Sequence, residues 1–302
     1  MAEYKAIRGH TIRTIAGDAS PLIAGDIWYS STTKKIRGAK LVASWSSGGN
    51  LNEAKRLPTG IGSQTAALAC GGNNSGPITV NVEQYDGSAW TEITNMGSGK
   101  YTSMNAGTVT AALVGGGIDG NQPPALSEVE EYNGTSWTEV NDLGTARYKF
   151  CQGVGTQTAA FAIGGRYPPT TVVGTVDSYD GTNWSSGTAV NTARMEGGAS
   201  GTTSAALVFG GMLPGATANS ETWNGSSWTE GNNLNTGRGI AASAFQGTTS
   251  SSLYFAGHPY RAITEEYDGT SWTETGDMST ARQKLAGAGT ASAGLGFGGY
   301  AP

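Results

Sequence analysis

Residues 132–165 read YNGTSWTEVNDLGTARYKFCQGVGTQTAAFAIGG, and the same order of residue types returns along almost the whole chain. The segment opens on an aromatic residue, Tyr132, followed by Asn133 and Gly134 and then by Trp137. Ten positions after that tryptophan stands a cation, Arg147, and after a Gly- and Ala-rich stretch the segment ends on Gly164 and Gly165. The opening recurs as YDGSAW at Tyr85, YDGTNW at Tyr179, WNGSSW at Trp223 and YDGTSW at Tyr267. Asn-Gly and Asp-Gly supply the positive φ angles of a tight type I′ turn, so each opening predicts a hairpin between a strand ending at the aromatic residue and one carrying the Trp.

The ten-residue step from Trp to Lys or Arg occurs six times: Trp45 and Lys55, Trp90 and Lys100, Trp137 and Arg147, Trp184 and Arg194, Trp228 and Arg238, Trp272 and Arg282. Successive tryptophans lie 45, 47, 47, 44 and 44 positions apart. A period of that length, built from strand and turn residues, is that of a propeller blade. Glycine doublets stand at 71–72, 116–117, 164–165, 210–211 and 298–299, and the fifth copy has Gly257 followed by His258. Small residues suit inner strands whose backbones converge on an axis, and one Tyr and one Trp per blade supply the wedge between neighbouring sheets. Those aromatic positions are therefore read as core.

The order of glycine doublet, Tyr, Trp and then Lys or Arg resembles the Kelch family of β-propellers over roughly residues 45–299. The expected fold is all-β, a six-bladed Kelch-type β-propeller over residues 26–302, preceded by a short N-terminal arm over residues 1–25. The sixth copy ends at Gly299 with only its inner strands written, so its outer pair is expected from residues 26–31 and 40–46. Pairing the two termini in one blade removes open strand edges.

Composition sets further bounds. The chain has 302 residues, 48 of them glycine, and is 37% hydrophobic with a formal net charge of −5; without the period this would suggest a poorly packed protein. No apolar run is long enough to cross a membrane, and Lys5, Arg8, His10 and Arg13 interrupt the N-terminal stretch, so neither membrane insertion nor an ordinary secretion signal is expected. The acidic balance makes nucleic acid an unsuitable partner. Cys70 and Cys151 occupy different points of different copies and read as buried free thiols. The sequons at Asn73, Asn133, Asn183 and Asn224 are read as turn chemistry, not glycan sites.

The six cations Lys55, Lys100, Arg147, Arg194, Arg238 and Arg282 fall on one propeller face. Two readings are open for them: each pairs with a nearby acid or loop carbonyl, or together they form an anion- or glycan-binding ring. The loops between second and third strands share that face and differ between copies. Their candidate contact residues are Tyr167, Pro168, Pro169, Met212, Leu213, His258, Tyr260 and Arg261, against the alternative that the loops merely vary. No catalytic residue, metal ligand or cofactor is assigned, and the chain is expected not to be an enzyme. Some Kelch propellers are copper oxidases, but only His10 and His258 are present. Ser178, Asp180, Gly181 and Trp184 approach the sialidase Asp box but miss its spacing. Glu92, Glu139, Glu230 and Glu274, each two residues after a Trp, read as exposed strand positions.

The N-terminal MAEYKAIRGHTIRTIAG is basic, lightly apolar and no copy of the blade. With the Gly-, Ser- and Thr-rich array, the GDIWYSSTT hairpin and the ASWSSGGNLN opening, the chain is similar to proteins encoded among the tail and virion genes of marine bacteriophages. That resemblance implies a virion structural protein, in tail, fibre or capsid exterior. Its arm would bind other virion proteins in an oligomeric assembly, and its loop face would meet a host-surface glycan or protein. An intracellular Kelch module that binds a protein partner through the same face is the open alternative.

Overall fold

The aromatic-to-Trp hairpins are present in the structure, a computed structural model that describes residues 13–15, 27–32, 34–38, 44–74, 78–120 and 125–302. Tyr85 pairs with Trp90, Tyr132 with Trp137, Tyr179 with Trp184, Trp223 with Trp228 and Tyr267 with Trp272. The turns are not type I′, because only the glycine takes a positive φ, 97° at Gly87 and 95° at Gly134, while the Asp or Asn before it does not. That residue's Oδ1 instead accepts from the backbone N–H groups two and three positions on: Asp86 from Ser88 and Ala89, Asn133 from Thr135 and Ser136. The side chain does the work of a turn carbonyl, so one left-handed residue suffices. The Ala89 N–H, with the Ser88 hydroxyl and N–H, holds the Asp86 carboxyl down at about 2.

The chain divides into two compact units, Met1–Ala43 and Ser44–Pro302. The first contains β1 (Arg13–Ile15), β2 (Ile27–Ser30) and β3 (Lys35–Gly38), with β2 parallel to β1 and antiparallel to β3. Both edges of β2 are therefore occupied, and it does not supply a strand to the last blade. Of the expected second strand, residues 40–43 lie outside the described residues and 44–46 form no strand. The arm expected over residues 1–25 is described only at Arg13–Ile15.

The second unit holds five four-stranded antiparallel blades, not six. The first blade is β4 (Thr59–Gly62), β5 (Ala67–Cys70), β6 (Val82–Tyr85) and β7 (Trp90–Glu92). The second is β8 (Met104–Thr108), β9 (Ala111–Gly115), β10 (Val129–Tyr132) and β11 (Trp137–Val140). In the third, β12 (Val154–Thr156) and β13 (Ala159–Ile163) are followed by a loop hairpin, β14 (Arg166–Tyr167) with β15 (Thr171–Val172), and then by β16 (Val176–Tyr179) and β17 (Trp184–Ser186). The fourth repeats this with β18 (Gly198–Thr202), β19 (Ala205–Phe209), the loop hairpin β20 (Met212–Leu213) with β21 (Gly215–Ala216), β22 (Ser220–Trp223) and β23 (Trp228–Glu230). The fifth is β24 (Ala242–Ser243), β25 (Ser252–Phe255), β26 (Thr264–Tyr267) and β27 (Trp272–Glu274). A two-stranded sheet, β28 (Gln283–Thr290) with β29 (Ala293–Tyr300), takes the remaining place, β28 packing against both β24 and β4.

One hydrogen bond per junction closes the ring. The second doublet glycine donates to the carbonyl of the next cation: Gly72 to Lys100, Gly117 to Arg147, Gly165 to Arg194, Gly211 to Arg238, Gly257 to Arg282 and finally Gly299 to Lys55. In the fifth blade the two left-handed residues are Ala256 (φ 65°) and Gly257 (φ 120°), so the doublet is Ala-Gly and His258 lies beyond it. The core lies in the seams, where the second-strand residues of one sheet meet the Tyr or Trp of the next, as Phe297 meets Trp90 at 4.8 Å and Phe209 meets Trp272 at 4.7 Å. Around the axis the inner strands approach backbone to backbone: a side chain at Gly153 would strike the Asn105 carbonyl oxygen.

Candidate binding face at the channel mouth

Five of the six repeat cations are buried. Each reaches the acid second in the third strand of the sheet it precedes: Lys55 Nζ lies 3.4 Å from Glu83, Lys100 Nζ 2.7 Å from Glu130, Arg147 2.5 Å from Asp177 and Arg194 2.6 Å from Glu221, while Arg238 bonds Glu265. Their side chains have no solvent exposure. The four glutamates also accept from the connection that leads into the blade, as Glu221 does from the N–H groups of Asn191 and Thr192 and Glu265 from those of Asn235 and Thr236. A buried carboxylate with two backbone donors and one cation has its lone pairs satisfied, which is what such a pair needs to persist out of water. Arg282 differs: it is half-buried, donates to the Gly298 carbonyl at 2.9 Å, and has no acid partner among the described residues.

Two positions beyond each cation stands a residue that faces the axis: Leu57, Thr102, Lys149, Glu196, Ile240 and Lys284. All six have φ between 52° and 60° although none is glycine. Such backbone costs about 1–2 kcal/mol per residue and persists only where surroundings impose it. Here hydrogen bonds run from one blade to the next around the mouth, Glu196 N–H to Lys149 O, Ile240 to Glu196, Lys284 to Ile240 and Leu57 to Lys284. The six residues rim a cavity of about 70 Å³. That volume admits a few waters or a small ion, well below the roughly 300–1,000 Å³ of an organic-ligand pocket.

Lys149 Nζ lies 3.4 Å from Glu196 Oε1, whose side chain is 8% exposed. Burial pushes the Glu196 carboxyl above its usual range despite Lys149 and Lys284 nearby. Below the rim, Asn105 donates to the Gly60 carbonyl and accepts from the Gly153 N–H, while Gln152 Oε1 accepts from the Ser243 N–H across the fourth blade. These polar side chains bridge the Gly- and Ala-rich inner strands across the channel.

The variable loops stand around the same mouth, tied to it by bridges between Arg56 and Asn73, Tyr101 and Ile118, Tyr148 and Arg166, Met195 and Met212, and Arg261 and Arg282. In the third-blade loop, Tyr167 is half-buried with its hydroxyl 3.3 Å from Thr175 Oγ1, and Pro168 and Pro169 are exposed. Met212 is half-buried and Leu213 is 41% exposed. In the fifth, exposed His258 bonds Gln283 Oε1 through Nδ1 at 2.8 Å, Tyr260 packs tilted against Tyr300 with ring centres 5.6 Å apart, and half-buried Arg261 has an unbonded Nε. Residues 75–77 and 121–124, in the first two loops, lie outside the described residues. The candidates thus share a face but converge on no single pocket. Among the described residues no cluster of three His, Cys, Asp or Glu could hold a metal. Cys70 and Cys151 are buried and unpaired, and burial pushes their thiols up to about 12 and about 11.

No protein-family model matches the sequence, and a comparison with curated proteins found no match either. Among solved structures the chain is similar to YjhT, with a TM-score of 0.70 at 13% identity over 85% of this chain and 93% of that one. The chain is a β-propeller. At that identity the likeness speaks for the fold alone.

Proposed function

We propose that this β-propeller is of Kelch type and serves as a bacteriophage virion component whose loop face attaches to a host surface. The observation that carries the reading is the loop face itself: Pro168, Pro169 and Leu213 stand exposed on loops anchored to a ring closed by backbone hydrogen bonds and locked by buried ion pairs. Rigid scaffolds with variable, partly apolar loops present contact surfaces at little ordering cost. The Kelch assignment is supported by the role each repeat residue plays: doublet to junction, Tyr to Trp, cation to third-strand acid. A binding role is favoured over a catalytic one because the mouth cavity is small and its Lys149 and Glu196 are paired with each other. The N-terminal unit would fix the propeller to its assembly.

The test is mass spectrometry of purified particles together with limited proteolysis. The reading expects the chain in stoichiometric amount, with residues 1–25 cut freely in the isolated protein and protected in the particle. A chain that never co-sediments with particles, and captures a cytosolic protein instead, would move the assignment to an intracellular interaction module.

A further inference from the structure

One seam between blades is built unlike the others. At Trp plus three, the first two blades carry Ile93 and Val140, which pack into the seam against the next blade's Tyr132 and Trp137 or Tyr179 and Trp184. The third and fourth blades have Gly187 and Gly231 there, and the fifth has Thr275. Before the aromatic residue, where the other blades have Gln84, Glu131, Thr222 and Glu266, the third has Ser178. With the short side chains of Ser178 and Gly187 on this face, a groove of about 450 Å³ lies between the third and fourth blades, within the range of small-molecule sites.

The groove's chemistry is specific. Its floor is Phe161 and Val176, and one wall is Trp223, which replaces the tyrosine found at that point in the other four complete blades. Trp223 is held in place by Nε1 donating to the Thr203 carbonyl at 3.0 Å, and Trp228 by Nε1 donating to the Thr188 carbonyl at 2.9 Å. Both indole N–H groups are thus used on backbone, and the rings are fixed 5.4 Å apart. The rim carries the hydroxyls of Ser178 and Thr188, for which no hydrogen bond is made within the described residues, and that of Ser185, 3.5 Å from the Ser178 carbonyl. No charged side chain lines the groove.

We propose that this groove binds a neutral saccharide, with the C–H face of a pyranose ring against the Trp223 indole and its hydroxyls bonded to Ser178, Ser185 and Thr188. A fixed aromatic plane, an apolar floor and a rim of uncharged hydroxyls match a ligand that is apolar on one face and rich in hydroxyls at its edge, and offer nothing to an ion. The site lies in a blade seam, apart from the loop face, and stands whether or not the attachment reading does.

The test titrates the full chain with the methyl β-glycosides of glucose, galactose and N-acetylglucosamine, followed by tryptophan fluorescence and saturation-transfer NMR. At least one should bind saturably, with a dissociation constant of about 1 mM, the scale for a ligand of this size. Gly187→Val gives the third blade the residue of the second; a Cβ there meets nothing nearer than the Val176 carbonyl at 3.3 Å, so the fold should be kept. It should weaken binding tenfold or more with the melting temperature unchanged. Ser185→Glu, at an exposed position on the groove face of β17, should do the same if Gly187→Val fails to fold. Absence of saturation by all three glycosides up to about 100 mM, or equal binding by folded variants, would overturn the proposal.

Discussion

The fourth blade and the two-stranded sheet β28–β29 begin with the same device and finish it differently. Arg194 donates to the carbonyls of Gly210 and Asn219 and to Glu221; Arg282, beside a two-stranded sheet, donates to Gly298 and has no acid partner among the described residues. Both sheets nevertheless complete their junctions, Gly211 to Arg238 and Gly299 to Lys55. The difference separates two tasks that a complete blade merges. Inner strands close the ring through glycine donors, and outer strands lock each closed junction with a buried carboxylate.

The largest effect should come from breaking that lock. Glu221→Ala strands a fully buried guanidinium and two backbone donors, Asn191 and Thr192, and should cost about 3–5 kcal/mol. Arg282→Ala removes one hydrogen bond at a half-buried site and should cost about 1 kcal/mol or less. Urea denaturation of the two variants measures both. Equal losses would mean that the sixth sheet has a partner for Arg282 and that the comparison between the sheets fails.

The doublets sharpen the point at the inner strands. Gly210 has φ 61°, and a Cβ there would lie 2.8 Å from the Arg238 carbonyl and from the Tyr254 ring, so Gly210→Ala should cost about 2 kcal/mol. Ala256 stands at the same point of the fifth blade with φ 65°, its N–H donating to Ile263 as that of Gly210 donates to Asn219. Ala256→Gly relieves a left-handed penalty of about 1–2 kcal/mol and returns up to about 1 kcal/mol of chain entropy to the unfolded state, for a net gain of about 0.5 kcal/mol. A melting temperature that falls in Ala256→Gly would show that the methyl group packs where the other blades have none.

Some of this was open to a reader of the sequence because the repeat fixes residue type as well as position. Trp, Tyr, cation and Gly recur in kind, and each holds one geometric role. The acids Glu83, Glu130, Asp177, Glu221 and Glu265 recur too, always two residues before the aromatic, and aligning the copies on that residue finds them; further acids beside them at Glu131 and Glu266 obscure the pattern. The axis-facing positions share a backbone conformation and no chemistry, running Leu57, Thr102, Lys149, Glu196, Ile240 and Lys284, so composition gives no sign of them. The sixth blade was misread for another reason. Its outer pair is expected from residues 26–31 and 40–46, but β2 at 27–30 has both edges held by β1 and β3.

The smallest of the expected effects tests whether the two-stranded sheet still shapes the channel mouth. Glu196 belongs to a complete blade, and its carboxyl is raised by burial, with Lys149 and Lys284 pulling the other way. An acid whose folded value lies above its unfolded one binds more protons in the folded state, so its contribution is full below the usual 4.5 and is lost as pH rises through the folded value. Glu196→Gln should therefore match the wild type in stability at pH 4 and exceed it at pH 7. Lys284→Met removes a cation supplied by β28 and should lower stability at pH 7 while leaving pH 4 little changed, since only the ionised carboxyl feels the loss. Thermal melts of the two variants at both pH values check the sign. If Lys284→Met behaves alike at the two, the charge on β28 does not reach Glu196, and the incomplete sheet closes the ring without taking part in the electrostatics of the mouth.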